Sequence, residues 1–334
     1  MPESTLNNPL YQTATRVGRP NEEDYGTGFF YNHNGNTYLI TNKHILTTGS
    51  TSGSVKTGGD PLSESDKFLH GVRIFLRNLH DLSEIYWLDV PLRSGTDTNI
   101  FTHPLDRLPS IEIDVAAVPL DQTLTPFSEV INNSTPSLNT GSLAFTPDMV
   151  LSGEELLAGG DTALIVGYPA EFVDTNTYFP LLRNARISSP LGISFQNKPA
   201  FITDALMYPG TSGSPVVAGP DTLKNPATGG LRTSKCGFAL LGVHSETYDR
   251  PSEDGGERLN LNLSWYAGLV NEIIETNMIR IALNEWVSES SISNPSDVDV
   301  HRYMSDDSTY YIISKPGELL QIVGNFTASE DVNE

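Results

Sequence analysis

The chain is written in short β-prone runs that Gly, Asn, Asp and Pro keep interrupting, and this pattern limits it to barrels or a sandwich. Candidate strands cover residues 72–76, 85–90, 111–118, 163–166, 201–202, 215–217 and 238–243. Asn34-Gly35, between Phe29-Phe30-Tyr31 and Tyr38-Leu39-Ile40, predicts a tight hairpin, because both residues tolerate the positive φ of a two-residue loop. The period changes only near the end. Tyr266, Leu269, Val270, Ile273, Ile274, Met278 and Ile281 recur at helical spacing and predict a helix that packs one face on the preceding β unit.

At 334 residues the chain is long enough to bury one or two cores. Cys236 is its only cysteine, so no intrachain disulfide can brace the fold, which must rest on packing. The 41 acidic and 20 basic residues leave a net charge of −21, which repels phosphates and anionic lipids. Neither nucleic acid nor a membrane surface is an expected partner. The opening residues, Met1 to Pro9, show no basic segment followed by an apolar one, and no run approaches the roughly 20 apolar residues of a membrane span. The expected location is the cytoplasm. His33, His70, His80, His103 and His301 lie scattered in polar contexts without zinc-like spacing, and no phosphate-binding glycine loop joins a strand to a helix. No metal and no organic cofactor is expected.

Gly210-Thr211-Ser212-Gly213-Ser214-Pro215 carries the chemistry. Six small or turn-forming residues bury little apolar surface, so packing does not explain them. Read alone, the stretch is also a surface turn. The alternative is a serine presented on a tight turn, with consecutive backbone N–H groups nearby, as acyl transfer requires. Two other segments favour that alternative. His44 follows the β-prone run Tyr38-Leu39-Ile40-Thr41, and Asp114 sits within the apolar run Ile113 to Val118. An aspartate there needs a partner for its charge. An imidazole donating Nδ1–H would supply one and leave Nε2 to take the serine proton.

At these residues the chain resembles the trypsin-like, chymotrypsin-fold serine peptidases, from about residue 25 to 280. Gly26-Thr27-Gly28-Phe29 ahead of Thr41-Asn42-Lys43-His44 is similar to the opening of the family's bacterial branch, and Asp114-Val115-Ala116 matches its aspartate motif. Phe201-Ile202-Thr203-Asp204-Ala205, followed by Pro209 to Pro215, resembles the nucleophile segment of the high-temperature-requirement proteases. Gly160-Asp161 with Gly167-Tyr168-Pro169 is similar to their strand and turn. The resemblance implies an all-β fold of two six-stranded antiparallel β-barrels with a C-terminal helix and a short tail. It divides the chain into barrels at 10–120 and 141–263, a linker at 121–140, a helix at 264–287, and a serine-rich linker, terminal hairpin and acidic tail at 288–334. It also implies a catalytic triad of His44, Asp114 and Ser212, with an oxyanion hole from the N–H groups of Gly210 and Ser212.

Two departures matter. Thr211 stands where secreted relatives carry an aspartate that pairs with a newly cut N-terminus, so activation by N-terminal insertion is not expected. Too little chain follows the protease region for the peptide-binding PDZ domain of many bacterial relatives. The resemblance places Leu206 at the floor of the specificity pocket and Gly242-Val243-His244-Ser245-Glu246 along its wall. Leu206 offers no counter-charge to Lys or Arg. His244 stands where glutamyl endopeptidases and viral 3C-type proteases carry a histidine that contacts a Glu or Gln side chain; it also reads as a buried strand histidine bonded to a neighbouring carbonyl. Those families continue with glycines, whereas Glu246 here repels an acidic substrate or narrows the groove. The expected function is intracellular serine endopeptidase activity on a protein or peptide substrate, regulated by a partner or by assembly. The alternative is a binding or scaffold protein that keeps the fold without turnover.

Overall fold

Strand Tyr25–His33 is buried on both faces along nearly its whole length, which explains its uninterrupted apolar centre. Phe30 points into the core of the N-terminal half with Val17, Leu39, Leu46, Val72 and Ile74. Phe29 points the other way and meets the Phe145 ring edge-on, with centroids 5.5 Å apart. The computed structural model describes residues 8–19, 25–48, 68–94, 97–107, 112–131, 140–151, 157–170, 172–219, 222–223, 238–250, 257–289, 299–305, 308–315 and 318–324. The chain divides into two compact units, Met1–Ile274 and Glu275–Glu334.

The first unit has the expected all-β, chymotrypsin-like architecture. Its N-terminal half is a seven-stranded sheet in the order Ile85–Pro91, Gly71–Arg77, Ala14–Gly18, Tyr25–His33, Asn36–Thr41, Ala116–Leu120, Phe101–Thr102. Among the described residues its ends do not join, so it differs from the expected closed six-stranded barrel. The hairpin at Asn34-Gly35 forms as anticipated, with φ of 51° and 80° at the two residues and His33 opposite Asn36. The C-terminal half is a closed antiparallel barrel of six strands: Thr162–Gly167, Leu181–Ile187, Ala200–Asp204, Glu257–Tyr266, Ala239–Arg250 and Pro215–Ala218. Ile165, Ile187, Phe201, Met207, Val216 and Leu241 fill it.

Several readings change. The strand expected at 111–118 begins only at Ala116, so Asp114 lies in the preceding coil; residue 111 is outside the described residues. Residues 246–258, read as a loop, include the extension of one strand to Arg250 and the start of the next at Glu257. Strands Ala14–Gly18 and Leu181–Ile187 had no strong apolar signature, because charged or polar residues break up both. The helix spans Gly268–Glu289, starting after Tyr266. Its first turns bury Leu269, Val270, Ile273 and Ile274. Polar contacts tie it to the N-terminal half, beyond the expected face on the second barrel: Tyr31 Oη with Asn271 Oδ1 at 2.7 Å, and His103 Nε2 with Glu272 Oε2 at 3.1 Å. In the second unit, strands Asp299–Ser305, Ser308–Lys315 and Glu318–Gly324 form an antiparallel sheet, one strand more than the expected hairpin. The acidic tail at 327–334 and most of the loop at 221–234 lie outside the described residues.

Candidate active site

Strand register brings His44 to Asp114. Thr41 pairs with Ala116 at the ends of two antiparallel strands, so the chain leaving one strand faces the chain entering the other. Asn42 Nδ2 then donates to the Asp114 carbonyl at 2.6 Å, and Lys43–Leu46 forms a 3₁₀ turn that carries the imidazole. Asp114 receives His44 on two atoms: the His44 backbone N–H donates to Oδ1 at 2.9 Å, and Nδ1 meets Oδ2 at 2.7 Å. The carboxylate is thus oriented by the residue it serves.

A bulge supplies the third contact. In the pairing of Ala239–Arg250 with Glu257–Tyr266, His244 faces Ser264 and Glu246 faces Leu263, leaving Ser245 as the extra residue. Bulges re-aim side chains and interrupt ladder bonding. The Ser245 hydroxyl turns to donate to Asp114 Oδ2 at 2.7 Å, and its carbonyl accepts the Ser212 hydroxyl at 2.8 Å. The Ser212 hydroxyl is therefore bonded to Ser245 and, among the described residues, not to His44.

Ser212 sits on a turn that glycine alone accommodates. At Gly213, φ is +86° and an added Cβ would lie 2.0 Å from the Thr27 carbonyl oxygen. Gly213 N–H donates to His244 O at 2.8 Å, Ser214 N–H to Thr211 O at 3.1 Å and Thr211 N–H to Tyr208 O at 3.3 Å. The N–H groups of Gly210 and Ser212 have no acceptor among the described residues.

A pocket of about 390 Å³ gathers His44, Asp114 and Ser212 with His244, Ser245, Glu246, Thr247 and the stretch Met207-Tyr208-Pro209. Thr211 completes the lining, while Gly210 contributes no lining atom. Leu206 is a correction: it is 41 % exposed and does not line the pocket, whereas its neighbour Met207, 2 % exposed, does. The strand ends at Asp204, and the chain beyond it turns Ala205 and Met207 inward while Leu206 faces solvent. Met207, Tyr208 and Thr247 were not anticipated, because nothing in their types marks them as pocket residues.

The two pocket histidines are tuned in opposite directions. Burial pulls the His44 imidazole down, but its bond to Asp114, the charge of Asp114 and that of Glu246 outweigh this and leave it raised. Burial, helped by the charge of His44, pushes His244 down to about 4. Its Nδ1 is buried without a partner among the described residues. His244 is therefore neutral near pH 7. Because its folded value lies below the unfolded one, its neutral form is no liability above about pH 6.5, and stability is lost as the pH falls from there through about 4. We expect this group to cost about 3 kcal/mol between pH 7 and pH 4. Urea unfolding at both pH values should show a fall that is smaller by that amount in His244→Gln; an equal fall in both proteins would contradict the assignment.

Comparison with known proteins identifies the family. A trypsin-like peptidase domain matches residues 26–221. No curated protein matches the sequence. Among solved structures, the chain is similar to a serine endoprotease from Yersinia pestis (11% identity, 95% of this chain and 95% of that one, TM-score 0.42). It is also similar to the HtrA-type protease AlgW (14% identity, 93% and 74%, TM-score 0.41). A third similar structure is a scabies mite inactivated protease paralogue (15% identity, 80% and 96%, TM-score 0.44).

Proposed function

The chain belongs to the trypsin-like serine endopeptidases, and on that premise we propose that it cleaves peptide bonds through Ser212, His44 and Asp114 by way of an acyl-enzyme. The observation that carries this reading is the 2.7 Å contact of His44 Nδ1 with Asp114 Oδ2 in the pocket that also holds Ser212. Asp114 keeps the proton on Nδ1, so Nε2 is the free base. The Ser212 hydroxyl leaves Ser245 O by a side-chain rotation and gives its proton to Nε2 as Oγ attacks the scissile carbonyl carbon. The resulting oxyanion is received by the N–H groups of Gly210 and Ser212. The C–N bond then breaks as the imidazolium protonates the leaving amine, and the acyl group remains on Ser212. Water, deprotonated by His44, attacks the ester; the product acid leaves and Ser212 regains its proton.

The pocket selects an uncharged side chain of medium size, apolar or amide-bearing. Neutral His244 gives no counter-charge to an acidic side chain. Lys or Arg meets no counter-charge at the Met207 position, and the Glu246 carboxylate is paired with Lys198 at 3.3 Å. His244→Ala should weaken cleavage after Gln and leave cleavage after apolar residues nearly unchanged in a peptide-library profile. A profile dominated by Lys or Arg would contradict both versions.

Activation needs no new N-terminus. The Thr211 hydroxyl and N–H both donate to Tyr208 O, and threonine carries no charge for an α-amino group to pair with. We place control in a protein partner or in assembly, and the enzyme in the cytoplasm. No helix among the described residues is long and apolar enough to cross a membrane.

His44's raised basicity predicts the acid limb. Because the base must be neutral to act, labelling of Ser212 by a fluorophosphonate should be half-maximal above pH 6.5 and fall as the pH drops through that point. Glu246→Gln should move the midpoint down, since the Glu246 charge helps raise it; an upward shift would contradict the cause assigned here. A second reading, a peptide-binding protein without turnover, draws on the Ser212 hydroxyl resting on Ser245 rather than on His44. Casein digestion separates the two: the wild-type chain should cut it and Ser212→Ala should not.

A further inference from the structure

Thr27, on the N-terminal strand Tyr25–His33, is fully buried and uses every polar atom it has. Its backbone N–H donates to Ser212 O at 2.8 Å, and its carbonyl accepts the Thr41 hydroxyl at 2.7 Å. Its own hydroxyl donates to Gly210 O at 2.8 Å and accepts the Tyr168 N–H at 3.0 Å. One residue of the first half thus holds two carbonyls of the nucleophile turn. Resting on the peptidase reading above, we propose that Thr27 is a positioning residue for the oxyanion site, its hydroxyl setting the turn so that the Gly210 and Ser212 N–H groups stay available.

The argument is peptide geometry. In a trans peptide the C=O and N–H point opposite ways, so fixing the carbonyl fixes the N–H. Pro209 O is held by Ala170 N–H at 2.8 Å, which turns the Gly210 N–H the other way. Thr211 O is held by Ser214 N–H, which does the same for Ser212 N–H. The peptide between these two runs from Gly210 O to Thr211 N–H. Thr27 Oγ1 anchors it at one end and Tyr208 O at the other. If that middle peptide rotated, both neighbours would have to follow. The position leaves little slack: Gly210 has φ +90°, and an added Cβ there would lie 2.6 Å from Tyr168 O. Tyr168 is the residue whose N–H Thr27 also receives, so one hydroxyl ties the turn to the wall behind it.

Thr27→Val keeps the shape and removes the oxygen; Thr27→Ser keeps the oxygen and removes a methyl. The second-order rate of fluorophosphonate labelling should fall on the order of 100-fold in Thr27→Val, as when one oxyanion donor is lost, and stay near wild type in Thr27→Ser. The pH midpoint of labelling should be unchanged in both, because His44 and Asp114 are untouched, whereas a general loosening of the site would move it. Should Thr27→Val not fold, Thr27→Ala removes the same oxygen and carries the test. Wild-type rates in the variant lacking the oxygen, an equal loss in Thr27→Ser, or a shifted midpoint would overturn the proposal. A wild-type chain that takes no label would instead overturn the peptidase reading, and the proposal with it.

Discussion

Asp114→Asn is expected to slow fluorophosphonate labelling of Ser212 by about 10⁴-fold with the fold intact. The reason lies in which atoms can donate. Asp114 Oδ1 receives the His44 backbone N–H, and Oδ2 receives the Ser245 hydroxyl and faces His44 Nδ1. A backbone N–H can only donate, so the amide oxygen of an asparagine must take that place and its NH₂ must turn towards Nδ1. Nδ1 then has to accept, which moves the imidazole proton to Nε2. The base is filled at the atom that should receive the Ser212 proton. The Ser245 hydroxyl can rotate, so the substitution has little other cost. A variant that keeps more than about a tenth of the wild-type rate, far above the fall expected from the wrong tautomer, would show that Asp114 does not set the tautomer.

Arg77→Met is expected to cost about 3 kcal/mol of stability, a large share of the total for most domains. Arg77 is 1 % exposed. Its guanidinium donates to Leu82 O at 2.7 Å, Thr177 O at 3.0 Å, Tyr11 O at 3.3 Å and the carbonyl of Tyr178. It also lies 4.0 Å from the centroid of the Phe179 ring. No carboxylate bonds it among the described residues, and burial pushes its basicity down. Methionine keeps the stem in place but removes the donor from the carbonyls of Tyr11, Leu82 and Thr177, while Tyr178 O keeps the Tyr168 hydroxyl at 2.9 Å. Lost with it is the tie from strand Gly71–Arg77 to Thr177 and Tyr178 ahead of Leu181–Ile187. Relief of the buried charge offsets part of that loss, which is why the figure stays below the sum of four broken bonds. Urea unfolding of both proteins at pH 7 measures it; a difference under about 1 kcal/mol, the worth of one ordinary hydrogen bond, would mean that water replaces the guanidinium freely.

What could be read from the residues alone divides along a physical line. Features that depend on residue type in a short stretch were legible. Asn34-Gly35 forms its turn, and the small-residue stretch around Ser212 makes a tight turn facing His44 and Asp114. Features that depend on long-range register were not. Asp114 lies ahead of its strand because pairing begins only at Thr41 and Ala116. Ser245 lines the pocket, but the bulge that turns its hydroxyl to Asp114 leaves no mark in composition. Leu206 and Met207 are neighbours of similar character, so which one lines the pocket depends on how the chain turns after Asp204. Thr27 looked like one residue of an opening motif. Its role as an anchor for the Ser212 turn appears only when Thr27 N–H meets Ser212 O.

Intact-mass measurement of the full chain after exposure to a fluorophosphonate, followed by mapping of the modified peptide, tests the central claim most directly. The account predicts one adduct on the wild-type protein, at Ser212, and none on Ser212→Ala at an unchanged thermal midpoint. An adduct that persists on Ser212→Ala, or that maps to another residue in the wild type, would contradict it.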